Sequence, residues 1–191
     1  FRHRNTLGAS IRFDGSDLFG VDKKYRYLPL YSVSGLWRIS SESFMSDIEW
    51  INNLAIRASY GLQGNIDKST SPKILGNYTT TTILPGTTED AIDIASPPNE
   101  KLRWEKTHSS NIGFDFSVLN TRINLSGDYY YRKGVDLIGS QALALETGFQ
   151  STTINWASMK NQGVEFSLNT HNIKTKHFDW RTTFNIAYNQ N

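Results

Sequence analysis

The sequence alternates apolar and polar residues over seven separate stretches, each about ten residues long or longer. This alternation is typical of β-strands, because successive side chains of a strand point to opposite faces of the sheet. Strands of globular sheets usually have about 5–6 residues, whereas strands that cross a membrane at a tilt need about 9–11. The predicted strands cover residues 4–13, 31–40, 53–63, 106–119, 122–133, 162–171 and 178–190.

The two faces of these predicted strands differ in charge. One face carries aliphatic and aromatic side chains such as Leu125 and Phe166, and none of these is charged. The strand charges lie on the other face, at Arg12, Arg38, Arg57, Asp115, Asp128, Arg132, Glu165 and Arg181. We therefore expect an all-β, antiparallel sheet with one apolar surface and one surface for water.

The connections alternate in length. Segments 14–30, 64–105 and 134–161 are long, whereas 120–121 and 172–177 are short and 41–52 is intermediate. Because antiparallel strands send every second connection to the same side, all the long connections fall on one side. Outer-membrane barrels have this arrangement, with long external loops and short periplasmic turns.

Aromatic residues of the apolar face lie near both ends of the predicted strands, as in the two aromatic girdles of membrane barrels. Phe13, Tyr31, Tyr60, Tyr129, Tyr131 and Tyr188 lie toward the long connections, and Trp37, Phe178 and Trp180 toward the short ones. The long segment 64–105 is rich in Thr, Pro and Gly and is predicted to be irregular. Segment 41–47 predicts a short helical turn capped by Ser41.

A soluble β-sandwich would show the same alternation, with its apolar face turned inward. Strand length, the sorted connections and the aromatic ends favour a membrane barrel. Seven strands leave two open edges, which hydrocarbon does not tolerate, so we expect about seven strands of a larger up-and-down barrel. Phe1 in place of Met, and a strand pattern that runs to Asn191, are what we expect of a chain cut at both ends.

Composition excludes several other classes. The 20 basic and 18 acidic residues give a net charge of +2, without the basic clusters that nucleic acid attracts. There are no cysteines, so disulfides and thiolate metal sites are excluded. A mean hydropathy of −0.47 is compatible with barrel strands, because their alternation keeps the average low.

Residues that could carry chemistry are few. The histidines, His3, His108, His171 and His177, show no metal-ligand spacing. Asp115 and Asp128 share the polar face, but Arg57, Arg132 and Glu165 lie nearby and predict a charge network instead of an acid–base pair. No phosphate-binding or nucleophile motif is present. The sequence thus predicts no catalytic, cofactor-binding or metal-binding residue, no cofactor and no enzyme, and leaves the substrate-binding residues unknown.

Several segments resemble, in order, the SusC/RagA family of TonB-dependent outer-membrane transporters of Bacteroidetes. They cover residues 27–40 with the turn Glu42-Ser43-Phe44-Met45, then 54–65, 98–107, 111–115, 128–131, 161–165 and 178–181 with Asn185. In segment 98–107, Glu100-Lys101 lengthens the family's spacing. Gly61, Gly64 and Gly163 in these motifs are predicted to serve positive backbone φ angles at strand ends, a structural role.

The resemblance implies a 22-stranded barrel with an N-terminal plug, energised through TonB, in the outer membrane of a Bacteroidetes-like Gram-negative cell. It also implies a SusD-like surface lipoprotein as partner and oligosaccharide or peptide cargo. Residues 1–191 would form a partial barrel domain, without the plug and the closing strands. The alternative is a soluble secreted β-sandwich binding module that recognises glycans through loop aromatics such as Tyr78.

Overall fold

The computed structural model describes residues 4–18 and 25–191, and its main element is a seven-stranded antiparallel sheet. A separate two-stranded hairpin is inserted between the third strand of that sheet and the fourth. The strands are β1 (Asn5–Gly15), β2 (Tyr27–Arg38), β3 (Ile51–Asn65), β4 (Leu75–Leu84), β5 (Thr87–Ser96), β6 (Glu105–Val118), β7 (Ile123–Ala142), β8 (Ser151–Lys174) and β9 (Asp179–Gln190).

The large sheet has the order β1-β2-β3-β6-β7-β8-β9, so strands that follow one another along the chain are also neighbours in the sheet. This is the predicted up-and-down arrangement, and the predicted antiparallel all-β class with seven sheet strands is confirmed. β1 and β9 form the two edges, so this sheet is not closed.

Two predicted loops contain strand structure instead. Segment 64–105 was expected to be irregular, which is wrong: its threonine-rich run 79–82 lies in β4, and β4 pairs with β5. Threonine is β-branched and favours extended backbone, and Gly86 supplies the positive φ of +89° that the connecting turn needs. Segment 134–161 is also mostly strand, since β7 and β8 extend to residues 142 and 151 and leave only 143–150 between them.

The register keeps the two predicted faces apart across all seven strands. One complete row of cross-strand neighbours on the apolar face is Leu7, Gly35, Ala58, Ile112, Tyr129, Val164 and Tyr188, none of them charged. A slip of one residue between any two strands would place polar and charged side chains in this row, so the alternation itself specifies the register. We call this surface the outward face and the opposite, charged surface the polar face.

The outward face is uncovered. Leu7, Ile112 and Phe184 have exposed fractions of 87%, 59% and 55%. A β-sandwich would bury such a face under a second sheet. In residues 4–18 and 25–191 the remaining sheet is the β4–β5 hairpin, and it does not bury these side chains. The structure therefore argues against the sandwich alternative.

The connections at one end of the sheet are compact. Residues Ile39–Ser41 and Ser43–Met45 form two short 3-10 turns, so a helical turn is present where predicted. Ser41 is not its cap, however, because it is the last residue of the first turn, and neither turn has a side-chain cap. β6 and β7 are joined through Leu119, Asn120 and Thr121, which all have positive φ. Across residues 4–18 and 25–191 no helix is long and apolar enough to cross a membrane.

The small hydrophobic core lies at the other end, among the long connections. Leu28, Leu30, Leu102 and Trp104 are buried together, and Leu62 and Ile138 pack against them. Leu28 and Leu30 are the strand neighbours of Asp14 and Arg12, so these two leucines lie on the polar face. We refer to this end of the sheet as the outer end.

Candidate functional site: the polar face and its outer rim

The centre of the polar face is a row of charged residues on neighbouring strands. Arg57 of β3 pairs with Gly113 of β6, which pairs with Asp128 of β7, which in turn pairs with Glu165 of β8. Asp115, two residues along β6, points to the same face. The sheet therefore brings together four of the residues that the sequence assigns to one polar surface.

Arg57 joins two carboxylates of this row. Its Nε lies 2.9 Å from Asp115 Oδ2, and its second terminal nitrogen donates to Asp128 Oδ2 at 3.1 Å. Gly113 lies between the strands that carry these groups, and a Cβ atom there would overlap Asp128 Oδ1. A side chain at position 113 would therefore force the Asp128 carboxylate or the Arg57 guanidinium to shift. The charge network predicted from the sequence is present in this part.

An acid–base role for Asp115 and Asp128 does not fit this geometry. Catalytic carboxylate pairs need environments that separate their protonation states, whereas both of these carboxylates share one guanidinium. Asp115 and Asp128 thus serve as ion-pair partners that fix the Arg57 guanidinium on the polar face. Glu165, opposite Asp128, leaves an excess of negative charge around this row.

A second close contact lies one row nearer the outer end, at Gly163. Its Cβ position would be 2.6 Å from the Tyr188 carbonyl oxygen and 2.7 Å from the Tyr130 hydroxyl. The Tyr130 hydroxyl donates to Asn189 Oδ1 above this glycine. Arg132 stacks its guanidinium over the Tyr130 ring at 5.3 Å from the centroid. Gly163 lets β7 and β9 side chains meet across β8.

Gly61, Gly64 and Gly163 do not have the positive φ angles predicted for them. All three lie within strands, and the glycines with positive φ among the described residues are Gly86 and Gly148. At Gly64 a Cβ would be 2.6 Å from Leu28 and 3.2 Å from Trp104. Sequence reasoning correctly gave the motif glycines a structural role but chose the wrong cause, since close approach of neighbouring side chains explains Gly64 and Gly163.

The outer rim contains a network that was not predicted, which we call the rim latch. Asp136 of β7 accepts from Arg103 at 2.7 Å and from Lys106 at 3.1 Å. It lies in a bulge between β7 and β8 and has a positive φ of 57°. The two cations, Arg103 first, hold the pKa of Asp136 below its ordinary value because they stabilise the charged carboxylate.

Asn155 of β8 completes the rim latch. Its side-chain nitrogen donates to the carbonyl oxygens of Arg103 and Asp136, both at 2.7 Å, and its Oδ1 accepts from the Arg103 backbone nitrogen at 2.9 Å. Asn99 donates to the Thr153 carbonyl oxygen at 2.8 Å. Segment 99–106 is thereby fixed to the β7–β8 extension. The lone signal in the sequence was the resemblance of segment 98–107 to a family motif.

Glu105 links three strands of the rim. Its Oε2 accepts from Asn65 at 2.7 Å, and its Oε1 accepts from the Ile138 backbone nitrogen at 2.9 Å. Asn65 ends the motif in 54–65, and Glu105 belongs to the motif in 98–107. The two motifs therefore bind each other, next to the contact between Gly64 and Trp104.

The histidines do not form a metal site in the described residues. His108 Nδ1 lies 2.8 Å from the Tyr60 hydroxyl on the outward face, and His171 Nε2 lies 2.7 Å from Asp179 Oδ1 at the opposite end. His177 lies in the turn before β9, and His3 lies outside the described residues. Residues 4–18 and 25–191 contain no group of three His, Asp or Glu side chains that could hold a metal ion.

Comparison with known proteins identifies the family. The family model described as TonB dependent receptor-like, beta-barrel, matches residues 2–191. TonB-dependent receptor P26 of Formosa agariphila is 38% identical over all of this chain, and TonB-dependent receptor SusC of Bacteroides thetaiotaomicron is 35% identical over 99% of it. The chain covers 19% of the length of each of these two proteins.

Solved structures agree in fold. The RagAB peptide importer in its open-open state superimposes with a TM-score of 0.82 over the whole chain at 28% identity, and in its closed-closed state with 0.81 over 99% at 27%. The chain covers 20% of the matched chain in each. It therefore spans about a fifth of the proteins it matches.

These matches confirm the resemblance to SusC and RagA that the ordered motifs indicated. The matched relatives are TonB-dependent receptors and transporters, which are not enzymes. Family members are also outer-membrane β-barrels, which accounts for an apolar face that no other part of the described chain covers. The chain belongs to the TonB-dependent receptor family and forms part of its β-barrel.

Proposed function

We propose that this chain is part of the barrel wall of an outer-membrane transporter that imports oligosaccharides or peptides with energy delivered through TonB. The observation that carries the proposal is the complete and uncharged row across seven strands, most of it exposed, backed by a row of ionic groups on the other face. Such a sheet is suited to lipid on one side and water on the other.

The outer end of the sheet faces the outside of the cell in this proposal. Its connections include the β4–β5 hairpin and the β7–β8 extension, whereas those at the other end, 39–50, 119–122 and 175–178, are shorter or compactly folded. Because hydrocarbon does not tolerate the open edges of β1 and β9, other parts of the protein must supply the closing strands. The same parts would supply the plug and the contact with TonB.

A surface lipoprotein of the SusD kind is the proposed partner at the outer mouth of the barrel. The proposed class of cargo is taken from the relatives of this chain. The matched RagAB structures are described as a peptide importer, which supports peptides. The resemblance to SusC supports oligosaccharides equally in our proposal. Tyr78 is 90% exposed on β4 at the outer end and is available to either partner or cargo.

Cysteine accessibility tests the proposed facing, since residues 1–191 contain no cysteine and any cysteine elsewhere in the intact protein would first be replaced by serine. Single variants of the intact protein would be treated in living cells with a maleimide that cannot cross the membrane. Tyr78→Cys should react and Lys176→Cys should not. In isolated membranes a water-soluble maleimide should label Ser126→Cys readily and Leu125→Cys slowly, since only Leu125 lies on the outward face. Equal labelling of 125 and 126 would refute the facing.

Growth of the native organism tests the import function separately. A strain deleted for the gene should lose growth on one cargo class, peptides or oligosaccharides, as sole source, and the intact gene should restore it. A variant unable to engage TonB should fail to restore growth. Normal growth of the deletion strain on both classes would contradict the proposal.

A further inference from the structure

Among the described strand residues of the seven-stranded sheet, the outward face carries charge in one place only. That place lies at the outer end of the sheet, near the bulge at Gly134–Leu137. The register assigns Lys106 of β6, Lys133 of β7 and Lys160 of β8 to this face. All three are basic, and all three lie at the outer end. The carboxylates and arginines of the same strand segments lie on the polar face. The three lysines are therefore exceptions to the separation of charged and apolar residues in the rest of the sheet.

Lys133 and Lys160 are direct cross-strand neighbours. Lys133 pairs with Lys160 on one side and with His108 on the other, so three basic residues stand in one row on β6, β7 and β8. Neighbouring strands are about 4.7–4.9 Å apart, and like charges placed directly opposite each other are destabilising. This row, which we call the basic row, therefore favours an anion above it.

The two lysines have no anionic partner in the described part of the chain. Lys106, in the next row outward, is neutralised by Asp136, with Nζ 3.1 Å from Oδ2. Lys133 and Lys160 are exposed, and no ion pair joins either of them to a carboxylate of residues 4–18 or 25–191. His108 faces Tyr60, whose hydroxyl lies 2.8 Å from its Nδ1.

The rows beneath the basic row change from polar to apolar. The next row inward contains Tyr131, Gln162 and Gln190, and the row after it contains Ile112, Tyr129 and Val164. The Tyr129 hydroxyl donates to Gln162 Oε1, so it turns toward the outer end. The change from basic to polar to apolar rows is typical of the boundary between lipid headgroups and hydrocarbon. Aromatic hydroxyls and lysine side chains are common at that boundary.

We propose that Lys133 and Lys160, flanked by His108, bind the phosphate group of a lipid headgroup in the outer leaflet around the barrel. The inference rests on the proposed location of the chain in the outer membrane. A phosphate fits because it offers several acceptor oxygens to two ammonium donors held side by side. The acyl chains of the same lipid would lie along the apolar rows beneath.

Lipid binding by the intact protein tests this site without any cargo. The protein, purified in a neutral detergent, would be titrated with phosphatidic acid and with diacylglycerol, and bound lipid counted by native mass spectrometry. The variant Lys133→Gln/Lys160→Gln removes two charges from the basic row. Lys174→Gln/Lys176→Gln removes two from the opposite end and serves as the matched control.

We expect phosphatidic acid to bind the double variant at least about tenfold more weakly than the wild-type protein and the control variant, because each lysine near an anionic lipid surface contributes appreciably. Diacylglycerol should not distinguish the three proteins. Equal phosphatidic acid binding by all three, or equal binding of diacylglycerol and phosphatidic acid to the wild type, would overturn the proposal. Saturation of the basic row by millimolar inorganic phosphate alone would identify a free-anion site and refute the lipid as ligand.

Failure of this inference is distinguishable from failure of the proposed function. If import is lost on gene deletion but both lysine variants bind phosphatidic acid normally, the transporter proposal stands and the lipid site does not. If phosphatidic acid binding depends on the basic row but deletion of the gene changes no uptake, the reverse holds.

Discussion

Gly163 offers the sharpest test of how this sheet is assembled. An alanine Cβ there would lie 2.6 Å from the Tyr188 carbonyl oxygen, a backbone atom that no rotation of a side chain can move away. Overpacking of this kind costs about 1–3 kcal/mol. Replacing a strand glycine otherwise recovers about 0.5–1 kcal/mol. We therefore expect Gly163→Ala to lower the free energy of unfolding by about 1–2 kcal/mol.

Gly35 provides the matched control on the outward face of the same sheet. A Cβ atom there would meet only Leu7 Cδ2, at an ordinary contact distance of 3.5 Å. Gly35→Ala should be neutral or stabilising by up to about 1 kcal/mol, which separates the two variants by about 2 kcal/mol. Urea unfolding of the intact protein in detergent, followed by the gel-mobility difference between folded and unfolded barrel, measures this separation.

The cause of the expected loss can be checked in the Gly163→Ala background. Asn189→Ala removes Oδ1, which would be 2.6 Å from the new methyl group, but leaves the Tyr188 carbonyl oxygen in place. It should therefore restore only part of the lost stability. If Gly163→Ala and Gly35→Ala unfold at the same urea concentration, close approach does not explain the glycine, and the β8–β9 register would be in doubt.

Three further predictions concern the two faces and the rim. Leu125→Arg places a charge on the outward face and should cost about 2–4 kcal/mol in a urea titration in lipid, whereas Ser126→Arg on the polar face should be nearly neutral. Arg57→Met removes two partly exposed ion pairs and should cost about 1 kcal/mol, and a double-mutant cycle with Asp128→Asn should show that the two losses are not additive. Because the pKa of Asp136 is lowered in the folded state, its contribution is complete above the ordinary carboxylate pKa and is lost as the pH falls through the lowered value. An acid-active protease should thus cut segment 98–104 faster only below about pH 4 in the wild type, and a protease active at neutral pH should cut Asp136→Asn faster than the wild type.

The sequence predicted the sheet well because alternation over ten or more residues indicates both that the segment is a strand and which of its side chains lie on each face. β3 and β6 end within two residues of their predicted bounds, since the apolar residues that define them continue to the strand ends. The β7–β8 extension was missed because residues 134–161 project beyond the apolar belt, where no alternation is needed. The β4–β5 hairpin was missed for the same reason: its threonines and acidic residues lie in water on both faces, so only β-propensity could have indicated it.

Functional residues were harder to predict because the contacts that form the site join distant parts of the chain. In the sequence nothing distinguishes Asp136 from other loop carboxylates. In the structure the bulge places it between Arg103 and Lys106. Asn155 carried no pattern, since its role depends on two backbone carbonyl groups from other segments. The motif glycines could be recognised as structural, but the neighbours that demand them, such as Trp104 and Tyr188, are set by register.

The family motifs contact one another, and this indicates what they specify. Gly64 receives Trp104, Asn65 binds Glu105, and the motif tyrosine Tyr130 reaches over the motif glycine Gly163. Each pair fixes the alignment of two or three strands of this sheet. Because the motifs are occupied with strand alignment, we expect the determinants of cargo to lie outside them. The exposed β4–β5 hairpin, fastened at its base by the rim latch and free at Tyr78, is the segment of this chain where substitutions should change cargo or partner without unfolding the wall.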